Sequence, residues 1–133
     1  MTKYESAALE AIRMYDSKKT LDLEEIWENA VNKFTTSRSS ITKGCPKGAF
    51  LGLCEEGLVK GIPPGCYTRN PERQVNKMYA IKAVDILKSK PNVTFNDREL
   101  WREVLDFLGI PDKQPQAQMK IVLILWNNKL IND

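Results

Sequence analysis

EEIWENAV, residues 24–31, is echoed by RELWREVL, residues 98–105. The fold turns on whether this echo is a repeat. TLD (residues 20–22) precedes the first segment and TFN (residues 94–96) precedes the second. Asp22 stands three residues before Glu25, and Asn96 three before Glu99. Both pairs have the spacing of a capping box, in which a side-chain oxygen takes a free helix N–H and a carboxylate reaches back. After Asp22 the apolar residues are Leu23, Ile26, Trp27, Ala30, Val31 and Phe34; after Asn96 they are Leu100, Trp101, Val104, Leu105 and Leu108. Each set is a stripe of period 3.6, so each segment predicts an amphipathic helix. Trp27 and Trp101 fall in register on the apolar face and read as core anchors.

The echo extends both ways. Upstream, Ala8, Leu9, Ala11 and Ile12 face Ala80, Ile81, Ala83 and Val84, and Ser17-Lys18 faces Ser89-Lys90. Downstream, Phe50, Leu51, Leu53, Leu58 and Val59 face Val122, Leu123, Leu125, Leu130 and Ile131. The register shifts only in connectors, for example at Pro91-Asn92, where insertions are tolerated. The pattern predicts an internal duplication. Each copy reads as three helices. The first spans about residues 4–17, with Ala8, Ala11, Ile12 and Tyr15 on one face, and its counterpart spans about 74–89. The third helix is expected to start at Pro46, since proline suits the first helical position, and Pro115 is expected to do the same in the second copy. MKIVLILW (residues 119–126) is apolar all round; it suits a buried helix or a buried strand, and alignment with the first copy favours helix. The expected fold is mainly α: two three-helix units, residues 1–70 and 71–133, packed separately or as one compact domain.

Composition narrows the function. The chain has 133 residues, of which 42% are hydrophobic and 28% charged, enough for a core without staples. No apolar run approaches the roughly 20 residues that cross a bilayer. The first ten residues, MTKYESAALE, lack the pattern of a secretory signal. A cytoplasmic protein with no membrane contact is expected. There is no histidine, and the three cysteines, Cys45, Cys54 and Cys66, match no common zinc spacing. No metal and no cofactor are expected, and the usual general base is missing. Residues 61–90 carry six basic side chains (Arg69, Arg73, Lys77, Lys82, Lys88, Lys90) against two acidic ones (Glu72, Asp85), a modest basic island in a chain of net charge +3.

After the third helix comes LGLCEEGLVKGIPPGCY, residues 51–67. It resembles the winged-helix branch of helix-turn-helix domains, in which the third helix ends on a leucine, an acidic residue, glycine, leucine and valine. Leu53, Glu56, Gly57, Leu58 and Val59 fit that exit. The resemblance implies a β-hairpin wing over Lys60 to Tyr67, turning at Pro63-Pro64-Gly65. The second copy has the exit, LILWNNKLIND, but no room for a full wing. The whole chain is also similar to small bacterial proteins of uncharacterised function.

Three function classes follow. A winged-helix unit would offer DNA or RNA the N-terminal end of its third helix. The residues there and in the wing are Arg38, Lys43, Lys47, Lys60, Arg69 and Arg73, with Gln116 and Lys120 in the second copy. Lysine can hold phosphate and glutamine can read adenine edges. Against this, Glu55 and Glu56 close the first unit's third helix with negative charge. The second class is a protein-interaction module. Gly44, Gly48 and Gly52 are four apart and would line one helix face, letting another backbone come close. That backbone belongs to the second unit, to a partner chain or to a nucleic acid, the first being the simplest. The third class is thiol chemistry at Cys45, next to Pro46 at a helix start, where the dipole favours a thiolate. With no histidine and no CxxC pair it is the remotest, and the chain is not expected to be an enzyme. A nucleic-acid-binding or regulatory protein leads.

Overall fold

The computed structural model describes residues 2–17, 22–68 and 71–132. Its helices are α1 (Lys3–Ser17), α2 (Leu23–Asn32), α3 (Arg38–Thr42), α4 (Gly44–Glu55), α5 (Pro71–Ser89), α6 (Asp97–Leu108) and α7 (Gln118–Asn127). The protein is mainly helical, and the described residues form no strand longer than a single bridge.

The two capped helices form where the sequence places them. Asn96 completes a full capping box with Glu99, while Asp22 makes no cap hydrogen bond to its helix. The stripes face inward: Leu23, Ile26, Trp27, Ala30 and Val31 on α2, and Leu100, Trp101, Val104 and Leu105 on α6, are buried. Phe34 lies beyond the end of α2 and is exposed. Trp27 stacks on Phe50 of α4 at 5.0 Å between ring centroids, and Trp101 meets Tyr79 of α5 edge-on at 5.2 Å. Buried side chains from all seven helices except α3's four polar positions join one continuous cluster, to which α3 adds Ile41.

Three helix boundaries depart from the sequence reading. The short α3 was not expected; Ser37 caps it by accepting from the Ser40 N–H, and its single apolar anchor is too little signal for periodicity to register. Helix α4 starts at Gly44, so Pro46 sits within its first turn and not at its first position. Pro115 starts no helix. Helix α7 begins at Gln118, after Ala117 adopts a left-handed φ of 73°.

The exits after α4 and α7 match closely. Gly57 and Lys129 are both left-handed, with φ of 73° and 58°. The Leu58 N–H returns to the Leu53 carbonyl at 3.0 Å, and the Leu130 N–H to the Leu125 carbonyl at 2.9 Å. Val59 and Ile131 then pair with each other as an antiparallel bridge. The Lys60 N–H donates to the Leu130 carbonyl and the Asn132 N–H to the Leu58 carbonyl, both at 2.8 Å. Exchanging each residue with its counterpart 72 positions away turns one bond into the other, donor for donor and acceptor for acceptor, the relation of a local two-fold axis through the bridge.

This pairing replaces the wing. The hairpin expected over Lys60 to Tyr67 is absent, because Val59 takes its partner from the far end of the chain. Pro63 and Pro64 have no N–H to give a ladder. The Glu55 carboxylate instead gathers the segment, accepting from the N–H of Tyr67 at 2.8 Å and from the N–H and hydroxyl of Thr68. Nor do the helices group as independent trihelical units. The most extensive helix pair is α4 with α5, from opposite halves of the chain, and α1 packs on α2 and α7.

Candidate nucleic-acid interface

Gly52 explains the closeness of α4 and α5. A Cβ placed there would lie 2.4 Å from the Lys77 Cβ and 2.7 Å from its Cα. The close approach is met within the chain at this position, so the Gly44–Gly52 face is not free to receive a partner along its length. Gly48 is buried, and Gly44 is exposed with open space around it.

Lys47 needs the firmest correction. Its side chain is only 3% exposed, and its ammonium sits 3.0 Å from Glu24 and 2.5 Å from Glu28 of α2. Turned inward between two carboxylates, it clamps α4 to α2 and cannot serve as a phosphate contact. Glutamate positions 24 and 28 are one helical turn apart, which is why one lysine reaches both.

The remaining expected contacts are dispersed over several elements. Arg38 is exposed at the start of α3, and Lys43 is half-buried at its end. Gln116 is half-buried, and its N–H is taken by the Gln118 side chain at 2.6 Å. Gln118 is itself buried, donating to Asn76 of α5. Lys120 lies 3.6 Å from Asp97. Arg69 and the Arg73 side chain lie outside the described residues. Glu55 and Glu56, the acidic end of α4, both pair with Lys77, at 2.5 and 2.7 Å. Burial raises the Glu55 carboxyl, but Lys77 and the donors from Thr68 and Tyr67 outweigh that and hold it at about 2.

Lys60 is different. It is exposed at the crossed exits, where a cleft of about 370 Å³ is lined by Lys60, Trp126, Lys129 and Ile131. Among the described residues no carboxylate lines it, and neither lysine has an ion pair. Trp126 is half-buried there. Sequence reasoning missed Trp126 and Lys129, although one signal was present: Lys129 occupies the place where the first exit has Gly57. A lysine with φ of 58° is strained where glycine would not be.

The cysteines are separate. Cys45 is half-buried in the first turn of α4, Cys54 is fully buried with its thiol pushed well up by desolvation, and Cys66 is exposed. All three are free. Among the described residues no helix is long and apolar enough to cross a membrane.

No match was found among curated proteins or among solved structures. Over residues 1–132 the chain matches, and so belongs to, a family of unknown function, DUF6979.

Proposed function

We propose that this is a non-enzymatic nucleic-acid-binding protein of regulatory type, built from two related three-helix units, with its contact surface at their crossed exits. The observation that carries the reading is the pair of ammonium groups, Lys60 and Lys129, that flank an indole in a cleft and, among the described residues, meet no carboxylate. One lysine comes from each exit, so the site exists only because the two exits pair. Ammonium groups hold phosphate, and an aromatic wall suits a base. Backbone strain at Lys129 agrees with this, since strained residues gather at functional sites.

The test is binding of labelled duplex and single-stranded oligonucleotides, read by anisotropy over a salt series. Binding should weaken steeply with salt, and replacing Lys60 and Lys129 together should reduce the slope for duplex by about 1.8, from roughly 0.9 per phosphate contact. Lys129→Gly is the sharper variant. It should weaken binding while raising stability by about 0.5–1 kcal/mol, because the left-handed strain exceeds the entropic penalty of glycine. No binding at low salt sinks the reading. The alternative, a protein-interaction module without nucleic-acid affinity, is favoured by Phe107, which is 71% exposed on α6 with the Lys82 ammonium 4.4 Å from its ring centroid. It predicts that Phe107→Ser changes self-association or partner binding and that oligonucleotides never bind.

A further inference from the structure

A second cleft, of about 260 Å³, lies between α6 and the loop that follows it. Arg98, Trp101, Arg102 and Leu105 form one wall, and they recur at the spacing of a single helix face. Asp112, Lys113 and Pro115 form the other. Two ties hold the loop in place. The Trp101 indole N–H donates to the Lys113 carbonyl at 2.7 Å, and Arg102 donates to the Asp112 carboxylate at 2.7 Å. Among the described residues three cations and one carboxylate therefore line the cleft, with the Lys113 ammonium 5.9 Å from the Tyr79 ring centroid. Arg98 has no ion pair among the described residues. Asp112 is 93% exposed, and Arg102 also meets Asp106 at 3.3 Å.

From this arrangement we infer that the cleft is a binding site for a phosphate monoester with a partly apolar body, and that Asp112 holds the anion position until such a ligand displaces it. Guanidinium groups recognise the two oxygens of a carboxylate or phosphate in the same fork geometry, so an exposed aspartate is a fair stand-in for the ligand's anion. Without Asp112 the positive charges of Arg98, Arg102 and Lys113 outnumber the one carboxylate still on Arg102, that of Asp106, which favours a dianion over a carboxylate. Pro115, exposed in the loop, offers the apolar surface against which the ligand's body would lie, with the buried Leu105 and Trp101 behind it. The site is independent of the Lys60–Lys129 cleft, and it goes beyond the nucleic-acid reading.

Calorimetric titration of the full chain at low ionic strength tests it, with adenosine 5′-monophosphate, adenosine and inorganic phosphate as probes. The monophosphate should saturate one site, adenosine should not bind, and phosphate should bind more weakly than the monophosphate. Arg98→Ala should weaken the monophosphate about tenfold, the loss of one charged hydrogen-bonding partner. Asp112→Asn should strengthen it severalfold by freeing Arg102. Both residues are exposed, so both variants should fold, and circular dichroism checks this. Lys129→Gly should leave this binding unchanged. The inference is overturned if the monophosphate does not saturate, if phosphate binds as tightly, if Asp112→Asn has no effect or weakens binding, or if Lys129→Gly abolishes it.

Discussion

Gly52→Ala should destabilise the protein, although alanine is the better helix former. On propensity alone the change would stabilise α4 by about 1 kcal/mol. Against this stands the position of α5. The new methyl would sit 2.4 Å from the Lys77 Cβ and 2.7 Å from its Cα, far inside the ordinary contact range. The Cα is backbone and cannot swing aside, so α5 must move by about 1 Å. A gap of 0.5–1 Å forfeits a quarter to a half of each dispersion contact. The loss falls on the most extensive helix pair of the fold. Overpacking of this kind costs about 1–3 kcal/mol, with larger values where backbone must shift. Because backbone must shift, the cost falls at the upper end, about 2–3 kcal/mol, and the expected net effect after the propensity gain is a loss of about 1–2 kcal/mol. Gly44→Ala on the same helix is the control. Its Cβ would meet nothing within 4 Å, so that change should be neutral or stabilising by up to about 1 kcal/mol. Urea unfolding followed by circular dichroism measures both, through the shift in midpoint at constant slope. A Gly52→Ala protein as stable as its parent would mean that α4 and α5 are not in contact as described.

Two further perturbations probe the buried charges. Lys47→Ala should cost about 2–3 kcal/mol in urea unfolding, below the 3–5 typical of a broken buried pair because Glu24 and Glu28 each keep about a quarter of their exposure; Lys47→Met, which keeps the stem, should cost less, and a null effect of both would show that the clamp is not formed. The Glu55 carboxyl is held at about 2 in the folded protein against an ordinary 4.5, so its contribution is fully present above pH 4.5 and is lost as pH falls towards 2. Stability should drop by about 2–3 kcal/mol through that window, and Glu55→Gln should flatten the drop. Glu10 is also held at about 2, by Arg13 first and Lys33 second, but these partners are 66% and 47% exposed, so added salt should remove its share and leave that of Glu55.

The amphipathic helices were legible because each buries one stripe. Leu23, Ile26, Trp27, Ala30 and Val31 announce α2 by spacing alone, and Asn96 with Glu99 marks the start of α6 to the residue. Connectors were less legible for a physical reason: their conformation is set by partners distant in sequence. Val59 could pair locally in a hairpin or remotely with Ile131, and its neighbours look the same in either case. The charged residues were least legible. Lys43 and Lys47 stand four apart near the start of one helix, yet Lys47 is buried in a clamp because α2 places two glutamates opposite it. The candidate cleft escaped for the same reason. Lys60 and Lys129 are 69 residues apart and come together only through the bridge between the exits.

The two exits follow one geometry but differ in what they tolerate at the left-handed position. Gly57 meets that demand without strain, and a Cβ there would come within 3.4 Å of Pro64, in the segment that Glu55 ties down. At the second exit Lys129 is exposed, so a side chain is accommodated there with conformational strain as its cost. The same asymmetry runs along the helices. Every residue of α4 from Pro46 to Cys54 is buried, since α2, α5 and α7 all pack on it, and Gly52 is what lets α5 approach. In α7 the matching residue is Ile124, only half-buried. The first half is thus the more enclosed around α4, with Lys47 and Glu55 used internally, whereas the second half leaves Trp126 and Lys129 at the surface. A binding surface at the crossed exits should therefore depend more on Lys129 than on Lys60, because the φ of 58° fixes the backbone from which its side chain departs. Single replacements by alanine would show this as a larger loss of oligonucleotide affinity for Lys129 than for Lys60, and an equal loss would refute it.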